Sequence, residues 1–132
     1  MKVDKNCRYV KTHEWVRVVG NLATAGITDY AQSQLSDVVY VELPEVGDVF
    51  DLGEVFAVVE SAKTAADVYM PISGEITEIN EALSSPQLVN DDPFGEGWFV
   101  QFTPSDLSEL DALLTPEQYQ EHVAAEEKEG GH

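Results

Sequence analysis

Two strand-like runs meet at a lone basic residue, and this pairing constrains the chain more than any other feature. Val55, Phe56, Val58 and Val59 precede it, and Ala65 to Tyr69 follow it. Between them stands Ser61-Ala62-Lys63-Thr64. Lys63 is the only Lys or Arg between Val18 and Glu127, in a chain of net charge −18. β-branched and aromatic residues in short runs bounded by turn residues read as paired strands. The sequence therefore predicts a mainly β fold with an amine at a hairpin tip. Ala62-Lys63 lacks the Gly or Asn of a favoured two-residue turn, so its geometry is not given by standard turn chemistry.

The flanking segments extend the pattern. Arg8 to Val18 ends in an alternating run, Gly20-Asn21 marks a turn, and Leu22 to Ile27 reads as the return strand. Thr28 or Asp29 caps a short helix through Leu35, because a side-chain oxygen there accepts a free N–H of the first turn. Asp37 to Leu43, Val49 to Asp51, Glu54 to Ser61, Glu75 to Ile79 and Trp98 to Phe102 read as strands, and Asn80 to Ser84 as one helical turn. Residues 86–97 read as loop. Leu107, Leu110, Leu113 and Leu114 recur at helical spacing. Thr115-Pro116-Glu117-Gln118 then carries a capping signal for a helix to about Glu127. The expectation is one domain over 1–132, with a β core at 8–103, C-terminal helices at 104–128 and a frayed tail at 129–132. Residues 1–7 read as a polar lead. Turns at Gly47 and Gly74, each before an acidic residue and a strand, form a weak echo on either side of Lys63. The echo suggests two similar sheet halves joined by the Lys63 turn.

Charge and cysteine usage narrow the function. The strong acidity argues against nucleic acid and anionic membrane surfaces, which require a basic face, and suits docking on basic protein patches. Five basic residues against Asp4 and Glu14 in the first twenty positions leave the acidity concentrated beyond them. Cys7 is the only cysteine, which fits a reducing compartment and gives no disulfide or Cys-x-x-Cys pair. No apolar run is long enough to span a bilayer, and no secretory h-region opens the chain. His13-Glu14 is a candidate acid–base pair, but His122 and His132 stand at no metal-ligand spacing from it, so no metal site is expected. Lys63, flanked by small residues, is suited to covalent modification. An ordinary surface lysine fits that spacing equally well.

The motifs together carry more. Thr12-His13-Glu14-Trp15-Val16-Arg17, Gly26-Ile27-Thr28-Asp29-Tyr30-Ala31-Gln32, Asp37 to Pro44, Val58-Val59-Glu60-Ser61-Ala62-Lys63, Pro71-Ile72-Ser73-Gly74-Glu75, Leu88-Val89-Asn90 and Pro93 to Trp98 occur in the order seen in the H proteins of the glycine cleavage system. The chain closely resembles that family over nearly its whole length. The resemblance implies a barrel-sandwich hybrid of the lipoyl/biotinyl type with short helices. It also implies a non-enzymatic carrier with lipoic acid in amide linkage on Lys63, attached by a lipoate-attaching enzyme.

The partners it implies are glycine decarboxylase, the tetrahydrofolate-dependent aminomethyltransferase and dihydrolipoamide dehydrogenase. The compartment would be the cytoplasm, or the mitochondrial matrix for a processed eukaryotic chain. Positions matching Thr12, Glu14 and Asp67 line the family's arm cleft. An arm of some ten bonds beyond the Lys63 backbone reaches on the order of 12 Å.

Ala62 and Thr64 depart from the family's usual Val and Ala beside the lysine. Ser36 stands where the family usually has Gly, and would be strained if the position needs a positive φ. Met70 replaces a small residue without evident purpose. A biotinyl carrier normally has Met on both sides of its lysine, and a lipoyl domain of a 2-oxo-acid dehydrogenase is normally followed by a linker and further domains. Donation of lipoyl groups to other proteins is a second role compatible with the family.

Overall fold

The structure is a computed structural model and describes residues 1–130. Its strands are β1 (Arg8–Tyr9), β2 (Glu14–Val19), β3 (Leu22–Ile27), β4 (Val38–Glu42), β5 (Val49–Phe50), β6 (Val55–Ser61), β7 (Ala65–Tyr69), β8 (Gly74–Ile79) and β9 (Val100–Pro104). Its helices are α1 (Asp29–Leu35), α2 (Leu88–Asp91) and α3 (Pro116–Gly130). One sheet runs β1-β2-β3-β9-β8-β5 and the other β4-β6-β7, with every pairing antiparallel. Val16, Ala25, Ile76 and Phe102 of the first sheet and Val41, Val59 and Val68 of the second share one buried core. Alternation along each strand sends these side chains inward. The result is the mainly β fold that the residue pattern predicts, in the barrel-sandwich arrangement that the resemblance implies.

A second buried cluster, of Cys7, Tyr9, Trp15, Tyr119 and Val123, clamps α3 onto the β1–β2 end. Tyr9 stacks on Tyr119 with ring centroids 4.5 Å apart. Burying such rings stabilises by roughly 2–3 kcal/mol each. Cys7 is a free buried thiol. Residues 1–7 are therefore not merely a polar lead. The Tyr9 hydroxyl donates to the Asp4 carbonyl at 2.6 Å, and Asp4 pairs with Arg17 at 3.2 Å. Gly26 is fixed by the same cluster, because a Cβ there would meet the Trp15 ring at 3.0 Å.

Several local expectations change under tertiary packing. The leucine run becomes a 3-10 helix, Leu107–Ala112, rather than an α-helix. Leu114 exchanges backbone hydrogen bonds with Tyr9 at 2.8 and 2.9 Å, and Pro116 holds Thr115 away from helical geometry. Residues 86–97 contain α2, whose Val89 is fully buried. The last strand starts at Val100 instead of Trp98, since the Trp98 carbonyl accepts from the Asn80 side chain at 2.8 Å. The α3 cap is reciprocal, as its sequence signal predicts: Gln118 N–H donates to Thr115 Oγ1 and Thr115 N–H to Gln118 Oε1. The helix runs to Gly130, beyond the expected end, and the remaining two tail positions lie outside the described residues.

The echo segments pair with each other, Val49 with Glu75 and Phe50 with Gly74. The Lys63 turn joins two strands of the smaller sheet, not two sheet halves. Met70 has a role after all. It is 1% exposed in the main core, and its backbone accepts from Gly53 and donates to Glu54.

Candidate functional site

The site begins at the β6–β7 turn. Ser61 N–H donates to the Thr64 carbonyl at 2.7 Å, and the Ser61 hydroxyl accepts from the N–H groups of both Lys63 and Thr64, at 3.2 and 3.1 Å. The side chain supplies the acceptor that a primed turn would take from backbone, a local pattern available to Ser. His13 and Ser36 are the only non-Gly residues with positive φ among those described, so Ala62 and Lys63 need none. This explains how the turn closes without Gly or Asn. Ala62, Lys63, Thr64 and Ala65 are all exposed. The Lys63 amine has no hydrogen-bond or ion-pair partner among the described residues, although the chain is rich in carboxylates.

From that tip β7 runs back along the sheet. Four residues of strand separate Lys63 from Asp67, about 13 Å. Asp67 is exposed and pairs with Val58 across the strands. It borders a cleft of about 190 Å³ whose walls include Thr12, Glu14, Ala31, Leu35 and Ala66. The fold thus gathers Thr12, Glu14 and Asp67 around one opening and sets Lys63 outside it.

Glu14 is the unusual member. It is 1% exposed. One oxygen accepts from the Thr12 hydroxyl and the other from Tyr69 N–H at 3.0 Å. Burial outweighs these stabilising bonds and raises the carboxyl pKa to about 7. At neutral pH it is thus divided between its charged and uncharged forms. An entering cation would draw it to the charged form.

The cleft's far wall was not legible locally. Thr28 caps α1 by accepting from Ala31 N–H at 3.2 Å, and its hydroxyl also meets the Tyr119 hydroxyl at 2.6 Å. Asn90 accepts from Val38 N–H and donates to Gln32 Oε1 and to the Ser36 carbonyl, fixing the end of α1. Ser36 has φ 66° and ψ −148°, the strained geometry expected from its departure. His13 has φ 78° and is held by Tyr119 and Glu126, at 2.8 and 2.9 Å. Burial lowers its pKa. Both ring nitrogens are engaged in these contacts, which turns His13 toward α3 and away from acid–base work with Glu14. The i, i+3 and i+4 spacings of Tyr119, His122, Val123 and Glu126 mark one face of α3 and were the available signal for the contacts that support His13 and Thr28 from behind.

Comparison with known proteins agrees with this geometry. The family described as "Glycine cleavage H-protein" matches residues 7–126. The chain is 55% identical over 127 residues to the Glycine cleavage system H protein of Thermus thermophilus, covering 96% of this chain and 99% of that protein. It is 49% identical over 125 residues to that of Carboxydothermus hydrogenoformans, covering 94% and 96%. A crystal structure of a glycine cleavage system H protein from Mycobacterium marinum superposes with TM-score 0.85 at 34% identity, over 92% of this chain and 99% of that one.

Proposed function

The chain belongs to the glycine cleavage H-protein family, and from that premise we propose that it is a non-enzymatic carrier with lipoic acid in amide linkage on Lys63. The observation that carries the reading is the exposed Lys63 amine, without a partner among the described residues, at the tip of a hairpin whose second strand leads to the Glu14 cleft. The turn fits attachment. Small neighbours leave the amine open to a lipoate-attaching enzyme, and Ser61 holds the backbone in place without covering it. Lipoic acid held there would supply a redox-active dithiolane able to carry an aminomethyl group, and the partners we propose for the chain are glycine decarboxylase, the tetrahydrofolate-dependent aminomethyltransferase and dihydrolipoamide dehydrogenase.

The chain's own residues do the rest. Asp67 offers a carboxylate at the cleft mouth, and Glu14 a buried one behind it. Thr12 donates to Glu14 and fixes its orientation. An amine entering the cleft meets two acceptors with little water around the inner one, where a charge-assisted hydrogen bond is stronger than in solution. This shelters a labile aminomethyl group. The acidic surface suits repeated transient docking on basic partner faces, with on-rate gained by steering. Among the described residues no helix is long and apolar enough to cross a membrane. The acidic surface accords with a carrier that binds neither nucleic acid nor an anionic membrane surface, and the compartment we propose for it is the cytoplasm.

The test is glycine-dependent exchange of labelled bicarbonate by purified glycine decarboxylase. The lipoylated chain supports exchange, and the unlipoylated chain and Lys63→Arg do not. A lipoylated chain without effect on exchange overturns the proposal.

A further inference from the structure

The fold assembles a three-residue cluster that the carrier role does not use. His13 Nε2 lies 2.9 Å from one Glu126 oxygen, and His122 Nε2 lies 2.9 Å from the other. All three ligand atoms fall within 4.8 Å of one another. The residues come from opposite ends of the chain. His13 sits on the turn before β2, while His122 and Glu126 stand one turn apart on α3. We propose that His13, His122 and Glu126 form a binding site for one divalent first-row transition ion of borderline softness, such as Zn²⁺.

The donor set fits that chemistry. Two imidazoles and a carboxylate select zinc-like ions over Mg²⁺ or Ca²⁺, which favour all-oxygen shells. Donors about 2.0–2.1 Å from a tetrahedral ion stand roughly 3.3 Å apart. The two His–Glu separations, each to a different carboxylate oxygen, open slightly to reach this spacing, and the widest separation in the cluster, no more than 4.8 Å, contracts; both are side-chain adjustments. The outer contacts are also in place. The Tyr119 hydroxyl, 2.8 Å from His13 Nδ1, can accept its N–H and leave Nε2 with a free lone pair. Such a partner fixes the tautomer and orientation of a ligating imidazole. Tyr119 is itself held by Thr28 Oγ1. The Lys11 carbonyl, 3.0 Å from His122 Nε2, adds an oxygen at the edge of the cluster.

An ion there would cross-link α3 to the 10–13 turn. His13 also lines the arm cleft, so the ion would brace one cleft wall. It would not participate in carrier chemistry.

The competing account is a self-satisfied network in which Glu126 merely bridges two imidazoles. Calorimetric titration of metal-free, unlipoylated protein with ZnCl₂ separates the two, because no cofactor thiol is then present. Co²⁺ absorption serves as a second readout of geometry. The proposal predicts one saturable site, tetrahedral Co²⁺ bands and a Zn²⁺-dependent rise in Tm. His122→Ala and Glu126→Gln each weaken binding by roughly tenfold or more. Glu126 is a partly exposed helix residue, so its Gln variant keeps the fold, which circular dichroism verifies. His132→Ala leaves binding unchanged. Absence of a saturable site, or binding that survives both His122→Ala and Glu126→Gln, overturns the proposal.

Discussion

The Lys63 turn, outside the cleft, and the Glu14 wall within it stand at opposite physical extremes. At the turn four consecutive small or flexible residues are exposed, and the amine has no hydrogen-bond or ion-pair partner among the described residues. At the wall a carboxyl is 1% exposed and bonded on both oxygens. A site that must be handled by other proteins stands in solvent with few local constraints. On the proposed reading the pocket that receives a charged group is built by burial, which makes its charge state depend on what enters. Truncations at the two places should therefore have opposite profiles, one costing function and not stability, the other altering both.

The largest expected effect concerns Glu14. Its folded pKa, about 7, lies above the unfolded value of 4.5. The folded protein keeps the proton in that interval, so this contribution to stability is full below pH 4.5 and is lost as pH rises through 7. A shift of this size corresponds to about 3 kcal/mol. Denaturant unfolding across pH 4 to 8 should show the decline in the wild type and a flatter line in Glu14→Gln. Identical slopes would remove the buried carboxyl from the account. In the loaded carrier, the same variant should shorten the lifetime of the aminomethyl form, and equal lifetimes would deny the cleft its sheltering role.

Tyr119→Phe comes next. It removes the hydroxyl shared by His13 and Thr28 from a buried position, at a cost of about 1–2 kcal/mol in denaturant unfolding, while leaving lipoylation at Lys63 unchanged. A lipoylation defect here would mean that wall and turn are not separable. Ser36→Gly should gain about 1 kcal/mol, because Gly adopts φ 66° and ψ −148° without the side-chain clash. At the turn itself, Ser61→Ala removes the acceptor of two N–H groups. It should lower stability by about 0.5–1 kcal/mol and slow attachment by the lipoate-attaching enzyme. Lys63→Ala, the smallest in stability, should fall within about 0.5 kcal/mol of wild type, as exposed sites do.

The same contrast explains what could be read from the sequence. The hairpin was legible because strand alternation, small residues and one basic group all lie within a dozen positions, and β7 keeps its expected bounds of Ala65 and Tyr69. The α1 and α3 caps were legible for the same reason, each being set within four residues. The wall depended on distant pairings. Tyr119 reaches Thr28, Asn90 reaches Gln32, and Glu126 reaches His13 across 113 positions. Histidine spacing along the chain is blind to such a meeting, which is why His13, His122 and Glu126 escaped notice. The leucine run misled because its 3.6-residue period did not reveal that Leu114 is tied to Tyr9 as a bridge.

The central claim is that Lys63 is the single attachment point, and intact-mass analysis with peptide mapping tests it most directly. After incubation with lipoate, ATP and a lipoyl ligase, the wild type should gain the mass of one lipoyl group, located on the peptide containing Lys63, and Lys63→Ala should gain none. An unchanged mass in the wild type, or a gain that persists in Lys63→Ala, would contradict the account.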